Sequence, residues 1–333
     1  GSIAFAGLGY AWLANGFWSA LAFRVLWGIG WAGCYMPGLK ALSDFIEGPQ
    51  QSRAVAAHAA SVGISSAASF VIVGAIAEIF GWRWGVAIGG IGAVASGLIM
   101  GVFFPAQTYK PQQSRILDLL DFRPVLRNRS AIAYSIGYAV HTFEMSAFRN
   151  WVVAFLTFSA AYQGVKDVAQ WLSPPVIATL MGLLGVWTSV LGNEVARRIG
   201  RRRWIISVMG LGMAVSAVVG FAPAVSYPLA VCFSLLYGVL IWADSVSLTA
   251  GTTGSAIPGQ RGATLACHSM LGYVGGVVGP LVIGVLLDVF GAGTPVGWGL
   301  AFLSIIGILF FGPLVMVLLK PGSLDGDRAA DNS

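Results

Sequence analysis

Nine apolar stretches run through this chain, at roughly 18–46, 53–80, 84–104, 131–158, 172–196, 203–222, 227–251, 262–290 and 296–320, with short polar segments between them. A helix crossing a bilayer needs about 20 mainly apolar residues. Each stretch therefore predicts a membrane span. A tenth, 3–14, is too short to cross and reads as the end of a truncated helix.

The stretches also repeat. Residues 58–81 (HAASVGISSAASFVIVGAIAEIFG) and 268–291 (HSMLGYVGGVVGPLVIGVLLDVFG) match 210 positions apart. His58 meets His268, Gly74 meets Gly284, Glu78 meets Asp288, and Phe80-Gly81 meets Phe290-Gly291. Upstream, Phe23, Leu26, Gly28, Gln50 and Ala56 meet Phe233, Leu236, Gly238, Gln260 and Ala266. Nine identities are few. The weight lies in whole elements falling in step, the pattern of a transporter built from two related halves. The stretch at 131–158 has no partner 210 residues earlier. By two-half symmetry, roughly 80 residues are expected before Gly1, enough for two further helices.

Composition agrees with lipid as the solvent. Hydrophobic residues make up 57% and charged residues 10% of 333, against about 25% charged in soluble domains. The basic residues cluster: Lys110, Arg115, Arg123, Arg127 and Arg129 in one loop, Arg197, Arg198, Arg201, Arg202 and Arg203 in another. Lys and Arg concentrate in cytoplasmic loops, so both loops and the tail from Lys320 are placed inside. Lying between spans, they do not suit nucleic acid. The stretch 114–122 is amphipathic, as expected of a helix on the membrane surface. Cys34, Cys232 and Cys267 fall in apolar runs and give neither a disulfide framework nor metal-ligand spacing. No metal, cofactor or nucleophile–base pair is indicated, so the chain does not read as an enzyme.

Several motifs resemble the major facilitator superfamily. The stretch from Gly192 to Arg202 (GNEVARRIGRR) is similar to that family's loop signature, with Arg197 where the pattern usually has Asp. Arg24-Val-Leu-Trp-Gly-Ile-Gly30 resembles its fourth-helix Arg motif. Gly81-Trp-Arg-Trp84 resembles the turn between its fifth and sixth helices. The Gly-Pro of the family's antiporters is absent at Ser69-Phe70 but present at Gly279-Pro280. The resemblance implies an all-α polytopic fold of two pseudo-symmetric six-helix bundles, the first incomplete. Residues 1–104 would form the rest of the N-terminal bundle, 105–130 a basic linker, 131–320 the C-terminal bundle and 321–333 a tail. It also implies that the segments at 18–46, 131–158 and 227–251 line a central cavity.

A charge in the bilayer centre costs about 2.5–3.5 kcal/mol or more, so each one needs a reason. His141 and Glu144 fall one turn apart on one helical face, with Arg149 and Asn150 further on. Glu144 is either a proton carrier or substrate contact, or a locally paired structural group. Arg24 is either a snorkelling residue or, with Arg149, an attraction for an anion. Asp244 is either functional or bonded to serine or backbone. Lys40 and Asp44 are spaced for a local ion pair. His58 and His268, at equivalent positions, suggest packing or gating. Trp27, Trp31, Tyr35, Asn150, Tyr237 and Trp242 are cavity-lining candidates. The loop candidates are Gly192, Arg197, Arg198, Gly200, Arg201 and Arg202. Gly272, Gly275, Gly276 and Gly279 would let helices approach closely.

The resulting expectation is a monomeric, multi-pass protein of a bacterial inner (plasma) membrane. It would carry a small organic anion by alternating access with H+ coupling, and its partners would be that small molecule and the lipid. Efflux of hydrophobic compounds is the alternative within transport. A transporter-like sensor is the alternative outside it.

Overall fold

The computed structural model describes residues 1–35, 37–38, 49–103, 122–165, 172–257, 260–322 and 324, with backbone only for 49–57 and 59. Among these, every regular element is helical. The order is α1 (Ser2–Leu13), α2 (Phe17–Ala32), α3 (Pro49–Phe80), α4 (Trp82–Phe103), α5 (Arg123–Arg127), α6 (Arg129–Arg149), α7 (Val152–Tyr162), α8 (Pro174–Ile199) and α9 (Arg201–Val219). After a short 3-10 turn at Ala222–Ala224 come α10 (Tyr227–Trp242), α11 (Ser245–Gly254), α12 (Arg261–Phe290), α13 (Pro295–Leu303), α14 (Ile305–Leu309) and α15 (Phe311–Leu319).

Seven segments are long and apolar enough to cross a membrane: Ala60–Phe80, Trp82–Phe103, Pro174–Ile199, Arg201–Ala224, Tyr227–Gly254, Arg261–Phe290 and Pro295–Leu319. Two expected spans are not among them. The one at 18–46 is described only to residue 38. The one at 131–158 is divided into α6 and α7 by a turn at Asn150-Trp151, where the Trp151 N–H donates to the Phe148 carbonyl three residues back. The expected span at 227–251 is likewise interrupted, at Ala243-Asp244. Lys40, Asp44 and residues 114–121 lie outside the described residues.

The chain forms two compact units, Gly1–Gln112 and Gln113–Ser333. In the first, α1 packs on α2 and α4. Gly7 and Gly90 meet so closely that a Cβ on Gly7 would stand 2.9 Å from the Gly90 Cα. Glycine removes the side-chain layer between helices, which lets the backbones touch. In the second, α6 is the hub, packed on α11, α12, α14 and α15. The seam with α12 is made by Gly275 and Gly279, which lie against the Ala139 and Phe143 carbonyls of α6. These two glycines do bring backbones together as the sequence suggested.

The repeat reappears as geometry. Gly81 ends α3 with φ +88° and Gly291 ends α12 with φ +89°. The Gly81 N–H donates to the Ala77 carbonyl and the Gly291 N–H to the Leu287 carbonyl, each at 2.9 Å. Glycine is the residue that enters this left-handed region without a steric penalty. Two turns 210 residues apart thus stop their helices in the same way.

Candidate functional site

In the second unit His141 and Glu144 of α6 point inward. His141 is 1% and Glu144 3% exposed. His141 Nδ1 lies 2.9 Å from Oδ1 of Asp244, itself buried. Sequence spacing gave no hint of this pair, because its members sit 103 positions apart on helices that meet only on folding. Asp244 occupies the break between α10 and α11. There the Ala243 N–H donates to the Leu240 carbonyl, three residues back, and the helix restarts with Leu248 N–H donating to the Asp244 carbonyl. The break turns the Asp244 side chain toward α6.

Glu144 lies one turn beyond His141. Its carboxyl is set against Gly212 of α9, where a Cβ would stand 2.7 Å from Oε1. The Tyr237 hydroxyl of α10 lies near Glu144 and near Ser216 of α9, without a well-formed hydrogen bond to either. Tyr237 is fully buried, so it sits in the wall between helices rather than on an open surface. His141 thus has Asp244 at 2.9 Å and Glu144 one turn along its own helix, so the unit holds two buried acids close to one histidine. Buried carboxyls are retained where they are paired or able to exchange a proton.

A second histidine closes the cluster. His268 of α12 is wholly buried, and the Tyr138 ring stacks on it at 3.9 Å and on His141 at 5.9 Å. Thr252 Oγ1 is 3.0 Å from His268 Nδ1, and Thr249 Oγ1 is 3.3 Å from Nε2. Thr252 already donates its proton to the Leu248 carbonyl. Its oxygen therefore accepts from Nδ1–H, and Thr249 donates to Nε2. A neutral imidazole satisfies both contacts. Sequence reasoning assigned His268 a packing or gating part and missed Thr249 and Thr252, whose residue types carry no signal of their own.

The remaining candidates are dispersed. Arg149 is partly buried near the end of α6. Asn150 is exposed and donates to the Ser146 carbonyl of its own helix at 2.8 Å. The Trp242 ring covers Gly185 of α8, so it packs one helix on another. In the first unit Arg24 is exposed and lies over the Tyr10 ring at 4.6 Å and the Trp27 ring at 5.9 Å. Trp27 also reaches Gly89, while Trp31, Tyr35 and His58 form a continuous stack, with centroids 5.6 and 5.2 Å apart.

The basic loop between α8 and α9 is locally paired. Glu194 binds Arg197 at 3.2 Å and Arg198 at 3.3 Å. The acid thus comes from one turn upstream, not from position 197. Arg201 is buried and donates to Asn193 Oδ1 at 2.7 Å. Gly200 makes the turn with φ +96°, and Arg202 is exposed. Gly192 lies against the Ala243 carbonyl. Among the described residues no group of three or more His, Cys, Asp or Glu is arranged to hold a metal ion.

Comparison with known proteins gives the family and the fold. Residues 1–259 match the model of the Major Facilitator Superfamily. The chain is 23% identical over 319 residues to the sphingosine-1-phosphate transporter SPNS2 of Xenopus tropicalis, covering 91% of this chain and 62% of that one. The mouse (Mus musculus) transporter of the same name is 22% identical, with 91% and 59% covered. The chain thus spans about three fifths of the length of these relatives. The fold superposes, with TM-score 0.65 and 14% identity, on a bacterial homologue of the human lysosomal transporter Spinster in an inward-facing, unoccupied conformation, covering 96% of this chain and 80% of that structure.

Proposed function

From the premise that this chain belongs to the major facilitator superfamily, an integral multi-pass membrane family of transporters and not of enzymes, we propose that it serves secondary active transport by alternating access, with protons as the coupling ion. One observation carries the proposal: two acids and a histidine, Glu144, Asp244 and His141, are buried together between membrane helices. Such groups are costly in lipid and typically mark ion or substrate paths. Glu144 and the His141–Asp244 pair would exchange the proton, beside the buried Tyr237 hydroxyl.

The cargo we propose is an amphiphilic organic anion. The relatives named for sphingosine-1-phosphate support this class, since that molecule joins a phosphate to a long apolar chain. Arg24 in the first unit and Arg149 in the second are each proposed, separately, as a cationic contact, and Arg24's aromatic setting suits a ligand with an apolar part. Counterflow in proteoliposomes of the full-length protein tests the reading. Labelled sphingosine-1-phosphate should exchange, a non-lipid organic anion should not, and an imposed inward or outward proton gradient should change the rate. Exchange that ignores the gradient would remove proton coupling. Binding without exchange of any solute would favour a sensor.

A further inference from the structure

The broken turn that presents Asp244 is gripped from outside by two residues that the transport reading does not use. Ending α10 at Trp242 leaves the Ala243 carbonyl without the helical N–H it would have met, and in lipid such a group needs another donor. The donor is Trp204 at the start of α9, whose indole Nε1–H reaches the Ala243 oxygen at 2.9 Å. The same oxygen fits against Gly192 of α8 only because Gly192 has no side chain; a Cβ there would collide with it. On the next residue, the Asp244 carboxylate meets His141 of α6.

We infer that Trp204 and Gly192 are positioning residues for Asp244: their clasp on the Ala243 carbonyl fixes the broken turn and thereby sets the carboxylate against His141. Both clasp residues belong to the loop region of α8 and α9. Gly192 opens the basic motif, and Trp204 follows Arg203. The inference thus joins the loop to the buried acid through one carbonyl. It rests on the reading of Asp244 and His141 as a functional pair, but the geometry can be tested without any substrate.

The chain has three histidines, so 15N-histidine spectra of the full chain in lipid nanodiscs resolve each imidazole. Trp204→Phe keeps an aromatic ring and removes the donor. Replacing Trp204 with the isosteric benzothienylalanine does the same with less change of shape, should the Phe variant fold poorly. Either should shift the His141 resonances and leave those of His58, in the other unit, in place. Gly192→Ala should shift His141 in the same way. In an Asp244→Asn background the Trp204 change should no longer move His141, because the link has been cut. An unchanged His141 spectrum in the benzothienylalanine protein would overturn the inference, as would an equal shift in the Asp244→Asn background. These outcomes do not depend on transport. Counterflow by the unaltered protein that ignores the proton gradient, with these shifts still seen in the variants, would sink the functional reading alone.

Discussion

The two histidines related by the repeat, His58 and His268, have come to rest in different surroundings. Both lean on a tyrosine ring. His58 stacks on Tyr35 at 5.2 Å and has that residue's backbone carbonyl 3.2 Å from its Nε2, in a half-buried setting. His268 is fully buried, stacks on Tyr138 at 3.9 Å and has a threonine at each ring nitrogen. The contrast extends to the units. Every buried polar side chain among the described residues, from Ser135 to Ser269, belongs to the second unit. The first is held by small residues and aromatic contacts. A duplicated framework therefore need not carry duplicated chemistry.

The hardest blow to this contrast is aimed at the buried pair. Asp244→Ala removes one partner of a buried contact, and such a loss typically costs about 3–5 kcal/mol. Thermal unfolding in detergent should show a fall of that order, whereas Glu78→Ala at the exposed C-terminal end of α3 should show almost none. Next come the histidines themselves. His268→Ala should cost about 3 kcal/mol, from a cavity plus the lost contacts to Thr249 and Thr252, and His58→Ala about 1 kcal/mol or less. Equal losses would mean that the two settings differ in appearance only. Smaller again is the glycine seam. Gly275→Ala forces a methyl against the Ala139 carbonyl, and overpacking costs about 1–3 kcal/mol. Gly92→Ala, in open space on α4, should be neutral or slightly stabilising. The smallest effect concerns charge at the surface. Arg197→Ala breaks an exposed pair with Glu194 and should cost about 0.5 kcal/mol or less. Arg24→Gln should lose about 0.5–1 kcal/mol of cation–π contact. On the proposed function, Arg24→Gln should also slow anion counterflow more than any change at Arg197 does.

Much of the fold was legible because lipid imposes a simple rule: long apolar runs must close their own hydrogen bonds as helices. The repeat was legible at Gly81 and Gly291 because a positive φ leaves a residue-level mark. The helix breaks were less visible. Nothing in Arg149-Asn150-Trp151 or Trp242-Ala243-Asp244 is a Pro or Gly that would announce a turn; tertiary contacts make them. The site was half legible for the same reason. His141 and Glu144 share a face by spacing, and Asp244 stood out as a charge in an apolar run. That Asp244 answers His141, or that Tyr237 lies near Glu144, depends on which helices become neighbours. Trp204 passed unremarked because a tryptophan beside basic residues at a membrane surface is ordinary.

The seam between α6 and α12 has one more consequence. Where main chain rests on main chain, as at Gly275 against Ala139 and Gly279 against Phe143, no rotamer is available to absorb a shift. The distance from Tyr138 to His268 is then a matter of helix geometry rather than of adaptable side chains. Lipid-facing residues on either helix could drift freely over generations, exchanging Val for Leu or Ile, without detuning the stacked rings between them. The glycines work as a gauge block, holding a tolerance for the chemistry next to them while the outer surface wears.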